Sequence, residues 1–272
     1  MNWRAIRAIV VKDLRQVLSN KMVWLPMILV PALLDILMPA MFTAIPLFAG
    51  EASVDPEDTA VFLKMIPQSV EPNLAQMSLS QQWTLLSTNY MFAPMFLIVP
   101  LMVASIIGSD SLVGEKERKT LEGLLYTPVT DEEIFVAKVL AGLIPAQAVS
   151  LLSFILLTVV VNAMGARTMG GLFFPRANWL PLVVWVSPAV SMAGIGATVL
   201  VSSRAKTFMQ AQQISGVLVL PIVALMISQV AGLLYLGSEL LWVVGAIVWA
   251  AGLWMIWVGA RTFRRGKLLT SI

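Results

Sequence analysis

Any chemistry this chain performs must come from few polar side chains, and they are unevenly spread. The stretch GEKERKTLEGLLYTPVTDEEI, residues 114–134, holds Glu115, Lys116, Glu117, Arg118, Lys119, Glu122, Asp131, Glu132 and Glu133, nine of the 33 formal charges. Far from it, Asp35 stands alone in the apolar run PALLDILMP. There is no His, which removes the commonest general base and transition-metal ligand. There is no Cys either, so neither a thiolate metal site nor a disulfide is available. An intramembrane aspartyl protease would need paired carboxylates, and only Asp35 and Asp110 are candidates; the first is central in its apolar segment and the second lies near one end, so their depths do not match. Neither H-E-x-x-H nor the phosphate loop G-x-x-x-x-G-K-[ST] occurs, which excludes the usual zinc protease and usual ATP site. The chain is expected not to be an enzyme by itself, to hold no metal and to bind no cofactor.

Two chemistries remain. Asp35 could take a cation or a proton, because a carboxylate at bilayer depth costs about 2.5–3.5 kcal/mol and so faces a bundle interior or water. The charged island suits a mechanical role. Glu115 with Lys119 and Arg118 with Glu122 are four apart, as on the solvated side of a helix, at about 0.2–0.5 kcal/mol per pair. Leu121, Leu124 and Leu125 supply the opposite, apolar side, and Thr127 with Pro128 should end the helix. A second helix then starts: Thr130 and Glu133 match a capping box, with Val129 and Ile134 at the staple positions. Asp131, Glu132 and Glu133 suit the positive end of its dipole. A short surface helix held this stiffly can transmit force.

The elements that must position these residues are membrane helices. Hydrophobic residues make up 58% of the chain and mean hydropathy is +0.86, against roughly 45–50% apolar residues in soluble domains. Six segments reach the roughly 20 apolar residues needed to cross a bilayer: 22–48, 90–113, 134–162, 179–201, 208–235 and 239–260. Six is even, so both termini lie on one side. Of the 18 Lys and Arg residues, all but Lys64, Arg167 and Arg176 fall on the face of the termini and of segment 114–133. Basic residues resist translocation, which places that face, and both termini, in the cytoplasm. Tyr90, Phe92, Trp179, Trp242 and Trp257 stand at span ends as interfacial anchors would.

Residues 1–20 place Trp3, Ile6, Val10, Leu14 and Val17 on one stripe and Arg4, Arg7, Lys12 and Arg15 on others. This predicts an interfacial helix resting on anionic lipid headgroups. No cleavable leader is apparent, so the first span is expected to serve as insertion signal. The acidic connection 49–89 is expected outside, with a helix starting at Asp55 and Pro56; its expected role is to cap the bundle. Gln210, Gln212, Gln213 and Gln229 are expected to form interhelical hydrogen bonds, and Gly194, Gly196 and Thr198 to permit close packing.

The run GEKERKTLEGLLYTPVTDEEIFVAKVLAG resembles the cytoplasmic segment of ABC type-2 exporter permeases. The matching positions are Glu117, Arg118, Thr120, Leu121, Glu122, Leu124, Leu125, Thr127, Pro128, Ile134 and Lys138. Within that family the wording is most similar to sodium-extrusion permeases of the NatB kind. It departs at Lys119, where many members carry Gly, a change expected to stiffen the loop helix. The resemblance covers about 30 residues as motif, and the six-span layout with a long first outer loop extends it along the chain. It implies an all-α integral membrane domain over residues 1–272, in a prokaryotic cytoplasmic membrane, whose coupling loop 114–133 docks a separate ABC ATPase carrying ATP and Mg. Two permeases, as a homodimer, with two ATPases would complete the assembly; no nucleic-acid partner is implied. The alternative from a different class is an autonomous secondary transporter or channel using Asp35.

Overall fold

The computed structural model describes residues 1–50, 54–120, 129–202 and 204–262. Leu121, Glu122, Leu124, Leu125, Thr127 and Pro128 therefore lie outside the described residues. The described chain is helical: α1 Trp3–Ser19, α2 Val23–Phe48, α3 Pro56–Met65, α4 Leu79–Glu117, α5 Asp131–Met169, α6 Trp179–Ser202, α7 Phe208–Val230 and α8 Ser238–Arg261. All but α1 and α3 are long and apolar enough to span a membrane.

Two helices outrun the spans drawn from hydropathy. Ser78 accepts a hydrogen bond from the Gln81 N–H while Gln81 accepts one from the Ser78 N–H, a capping box that starts α4 at Leu79. The polar stretch before residue 90 thus joins the span instead of looping. Its polar side chains are satisfied locally: Gln82 donates to the carbonyls of Leu74 and Met77. At its other end α5, with 39 residues, continues to Met169 and stops at Gly170, φ 74. At about 1.5 Å per residue it is far longer than a hydrocarbon layer. Conversely α7 ends at Val230, because the chain reverses at Gly232, φ 74.

Helix α4 is the central pillar; Val99, Val103, Ala104 and Ile107 are fully buried between α5 and α6. Small residues set the spacing of α6 and α8. A Cβ on Gly196 would stand 2.7 Å from Met255 Cβ, and one on Gly252 2.9 Å from the Ala193 nitrogen. A Cβ on Gly194 would meet Ser105 Oγ of α4 at 2.9 Å. One apolar cluster, with Val23, Val103, Val113, Phe135 and Ala211, fills the end of the bundle where α1 packs, here called basal. A second, built on Phe96, Leu157, Phe174, Trp179 and Leu236, fills the far end.

Helix α1 departs from its expected seat. Ile6, Ile9 and Val10 pack on Ile134, Ala137 and Ala141 of α5, so this stripe is covered by protein instead of lipid. Trp3, expected on it, is 62% exposed, and Asp13, 2% exposed, takes a place on the buried side. The reason is geometric: an apolar face next to the equally apolar start of α5 buries more area against protein than a headgroup layer offers.

Candidate functional site

Among the described residues four wide π-helical turns interrupt the spans, at Ala32–Leu37, Ser87–Met91, Asp110–Gly114 and Leu182–Val186. Such turns are often found at functional sites. The third, at the basal end of α4, is the centre of a polar joint. It places Asp110 and Ser111, then Glu115, toward α1 and α5, and all three are buried.

Lys138 of α5, 2% exposed, points into this turn. Its ammonium donates to the Ser111 carbonyl at 2.6 Å, Ser111 Oγ at 3.0 Å, Glu115 Oε2 at 2.8 Å and Asp13 Oδ2 at 3.5 Å. Ser111 Oγ in turn donates to Asp13 Oδ2 at 2.6 Å. Lys12, at the surface, hydrogen-bonds the other Glu115 oxygen and lies 3.4 Å from Asp13 Oδ1. Two carboxylates therefore meet two ammonium groups. Charge balance of this kind is the condition for burying ions at tolerable cost. Burial pulls the Lys12 ammonium toward its neutral form, but the hydrogen bond and charge of Glu115, reinforced by Asp13, outweigh it and hold its pKa above the ordinary lysine value.

A second clasp lies beside the first. Asp110 accepts from Gln16 Nε2 and from Arg118 Nη1, each at 3.0 Å. Arg118 can fold back only because residue 114 is glycine: a Cβ there would stand 2.9 Å from Asp110 Oδ1 and 3.1 Å from Arg118 Nη2. Glu117 reaches the start of α7, accepting from the Phe208 N–H at 2.8 Å. Glu133 holds the start of α5. It completes a capping box with Thr130, and also accepts from the N–H of Asn2, the N-cap of α1.

The expected helix 115–126 is corrected in its first turns. The helical segment ends at Glu117, and the Lys119 N–H returns to the Lys116 carbonyl while Thr120 N–H returns to that of Glu115. This is a Schellman stop with Lys119 in the left-handed region at φ 57. Lys119 consequently terminates this helical segment instead of stiffening it. The Glu115–Lys119 pair does not form, because Glu115 is turned inward to Lys138. Thr120 Oγ1 donates to the Glu115 carbonyl at 3.3 Å.

Away from this joint, Asp35 occupies the π turn of α2, 2% exposed, and neither carboxylate oxygen has a hydrogen-bond partner. Asp110, placed by the sequence near one end of its span, is buried and doubly bonded. The glutamines do not form the expected interhelical bonds: Gln229 is buried with its amide unpartnered, and Gln210 accepts from the Lys206 N–H close by. Sequence reasoning missed Asp13, Gln16 and Ser111. A signal for Asp13 was present, since it shares the helical stripe of Ile6, Ile9, Val10 and Val17, and a carboxylate there needs a buried cation.

Six helices long and apolar enough to span a membrane, bound at one end by a charged joint, define a membrane-embedded helical domain. Residues 7–242 match the model of the ABC-2 family transporter protein, and the chain belongs to that family. It is thus an integral membrane protein, the permease part of a transporter. No curated protein matches it significantly.

Proposed function

We propose that the chain is the membrane subunit of an ATP-driven exporter. Two copies form the pathway, and two separate ATPases dock from the cytoplasm on segment 114–133. The count of Lys and Arg supports placing the basal end, with both termini, in the cytoplasm of a prokaryotic cell; the exposed Arg4, Arg7 and Arg15 of α1 would then face anionic lipid headgroups. ATP and Mg bound by the partner supply the energy. The observation that carries the reading is the double engagement of Glu115: one carboxylate holds Lys138 of α5 and Lys12 of α1. Movement of the docking segment cannot be absorbed locally, because a buried, balanced ion cluster resists separation. It passes to α5 through Lys138, to α1 through Asp13 and Gln16, and to α7 through Glu117.

The test is ATP turnover by the partner ATPase reconstituted with this chain in nanodiscs. Glu117→Lys should abolish the permease-stimulated part of that turnover while membrane insertion stays normal. Unchanged stimulation would overturn the docking assignment.

A second reading rests on the unpartnered carboxylate of Asp35, a group able to take a cation or proton within α2. It requires transport by this chain alone in liposomes under an ion gradient, abolished in Asp35→Asn. No flux without the ATPase would dismiss it.

A further inference from the structure

At the far end, opposite α1, three connections converge on one cleft: residues 66–78 ahead of α4, 170–178 between α5 and α6, and 231–237 between α7 and α8. The cavity measures about 540 Å³, and its polar lining includes Glu71, Tyr90, Arg176, Asn178, Tyr235 and Glu239. Pockets of roughly 300–1,000 Å³ suit small organic ligands. We infer that this cleft binds an organic cation, an ammonium group carrying an aromatic or aliphatic body.

Three features select that charge. The carboxylate of Glu71, 7% exposed, is balanced by Arg176, whose Nε lies 3.0 Å from Glu71 Oε1. Glu71 also accepts from the Tyr90 hydroxyl at 3.2 Å. That leaves Glu239, in the first turn of α8, exposed and without an ion-pair partner among the described residues, so the lining carries one net negative charge. Next, Asn178 donates through Nδ2 to the Asn89 carbonyl at 2.7 Å, while its Oδ1 has no partner. The wall thus holds one unmet acceptor, Asn178 Oδ1, and one donor without a well-directed hydrogen bond, Arg176 Nε; the Glu71 carboxylate 3.0 Å away neutralises that donor's charge, so the group left for a ligand to meet is the acceptor, which calls for a donor. Finally, the partly exposed ring of Tyr235 lines the cleft, backed by the buried ring of Tyr90 5.8 Å away at 44°, and aromatic faces attract ammonium groups. An anion would meet an arginine already neutralised and a carboxylate at the rim.

The experiment uses the full chain in lipid nanodiscs, with empty nanodiscs as blank, and equilibrium dialysis of three probes of one shape: phenethylammonium, phenethyl alcohol and phenylacetate. The cation should bind, the alcohol much more weakly, and the anion not at all. Glu239→Gln, a surface change that leaves the fold intact, should weaken the cation about tenfold, the scale of one screened charge contact. Tyr235→Leu should weaken it about fivefold while Tyr235→Phe keeps the affinity, as a cation–π contact predicts. Equal binding of alcohol and cation, or no effect of Glu239→Gln, overturns the assignment. No ATPase enters this assay, so its failure leaves the coupling proposal standing, and failed stimulation of the ATPase leaves this site standing.

Discussion

Lys138 is the residue on which the basal joint turns. Its ammonium answers both Asp13 and Glu115, and its removal leaves two buried carboxylates sharing the single surface ammonium of Lys12. Breaking one partner out of a buried ion cluster costs about 3–5 kcal/mol. Lys138→Met should accordingly lower the thermal midpoint of the detergent-solubilised protein sharply, and adding Glu115→Gln should recover part of the loss. No recovery would mean that the carboxylates are not the origin of the defect. Lys119 makes the opposite case. A side chain at φ 57 is strained where glycine is not, so Lys119→Gly should stabilise the protein by about 1 kcal/mol, read as a higher thermal midpoint. At this scale the sequence was partly readable. Thr130 and Glu133 form their cap from residues three apart, where local spacing suffices. The partners of Glu115 are 103 and 23 residues away, and no local rule selects them over Lys119.

Helices carry the joint's position. Helix α1 is fastened to α5 by Ile6, Ile9 and Val10 against Ile134, Ala137 and Ala141, and by Glu133 at its first residues. The chain contains no cysteine, so single cysteines report exposure without background. Val10→Cys, replacing a residue 8% exposed, should resist maleimide, and Val11→Cys, replacing one 37% exposed, should react in the same membranes. Equal reaction at both would show α1 detached from α5. Residue period located α1, because a stripe recurring every three or four positions survives in any surroundings. It did not say what covers the stripe, since lipid and a neighbouring helix are equally apolar. The starts of α4 and the end of α5 were likewise hidden from hydropathy, which averages polar side chains such as Gln82 and Asn89 as solvent-seeking although their hydrogen bonds are met inside the fold.

For the whole molecule, the decisive question is which end faces the cytoplasm. Ser69 borders the far cleft and Lys119 ends the basal segment. In intact cells a membrane-impermeant maleimide should label Ser69→Cys directly and Lys119→Cys only after permeabilisation. The reverse pattern would place the cleft inside and remove the docking segment from the reach of any cytoplasmic motor.

The sequence alone determined that this is an all-helical membrane domain with six spans and that residues 114–134 are its polar exception, because apolar length, charge bias and capping patterns are local properties that act in any context. Tertiary structure decided what that exception does. It turned Glu115 inward to Lys138, set Asp13 on the buried face of α1, stopped the helix at Lys119 and closed three distant connections around one cleft. Apart from the stop at Lys119, whose hydrogen bonds are local, each of these depends on groups far along the chain, and only packing in three dimensions brings them within reach.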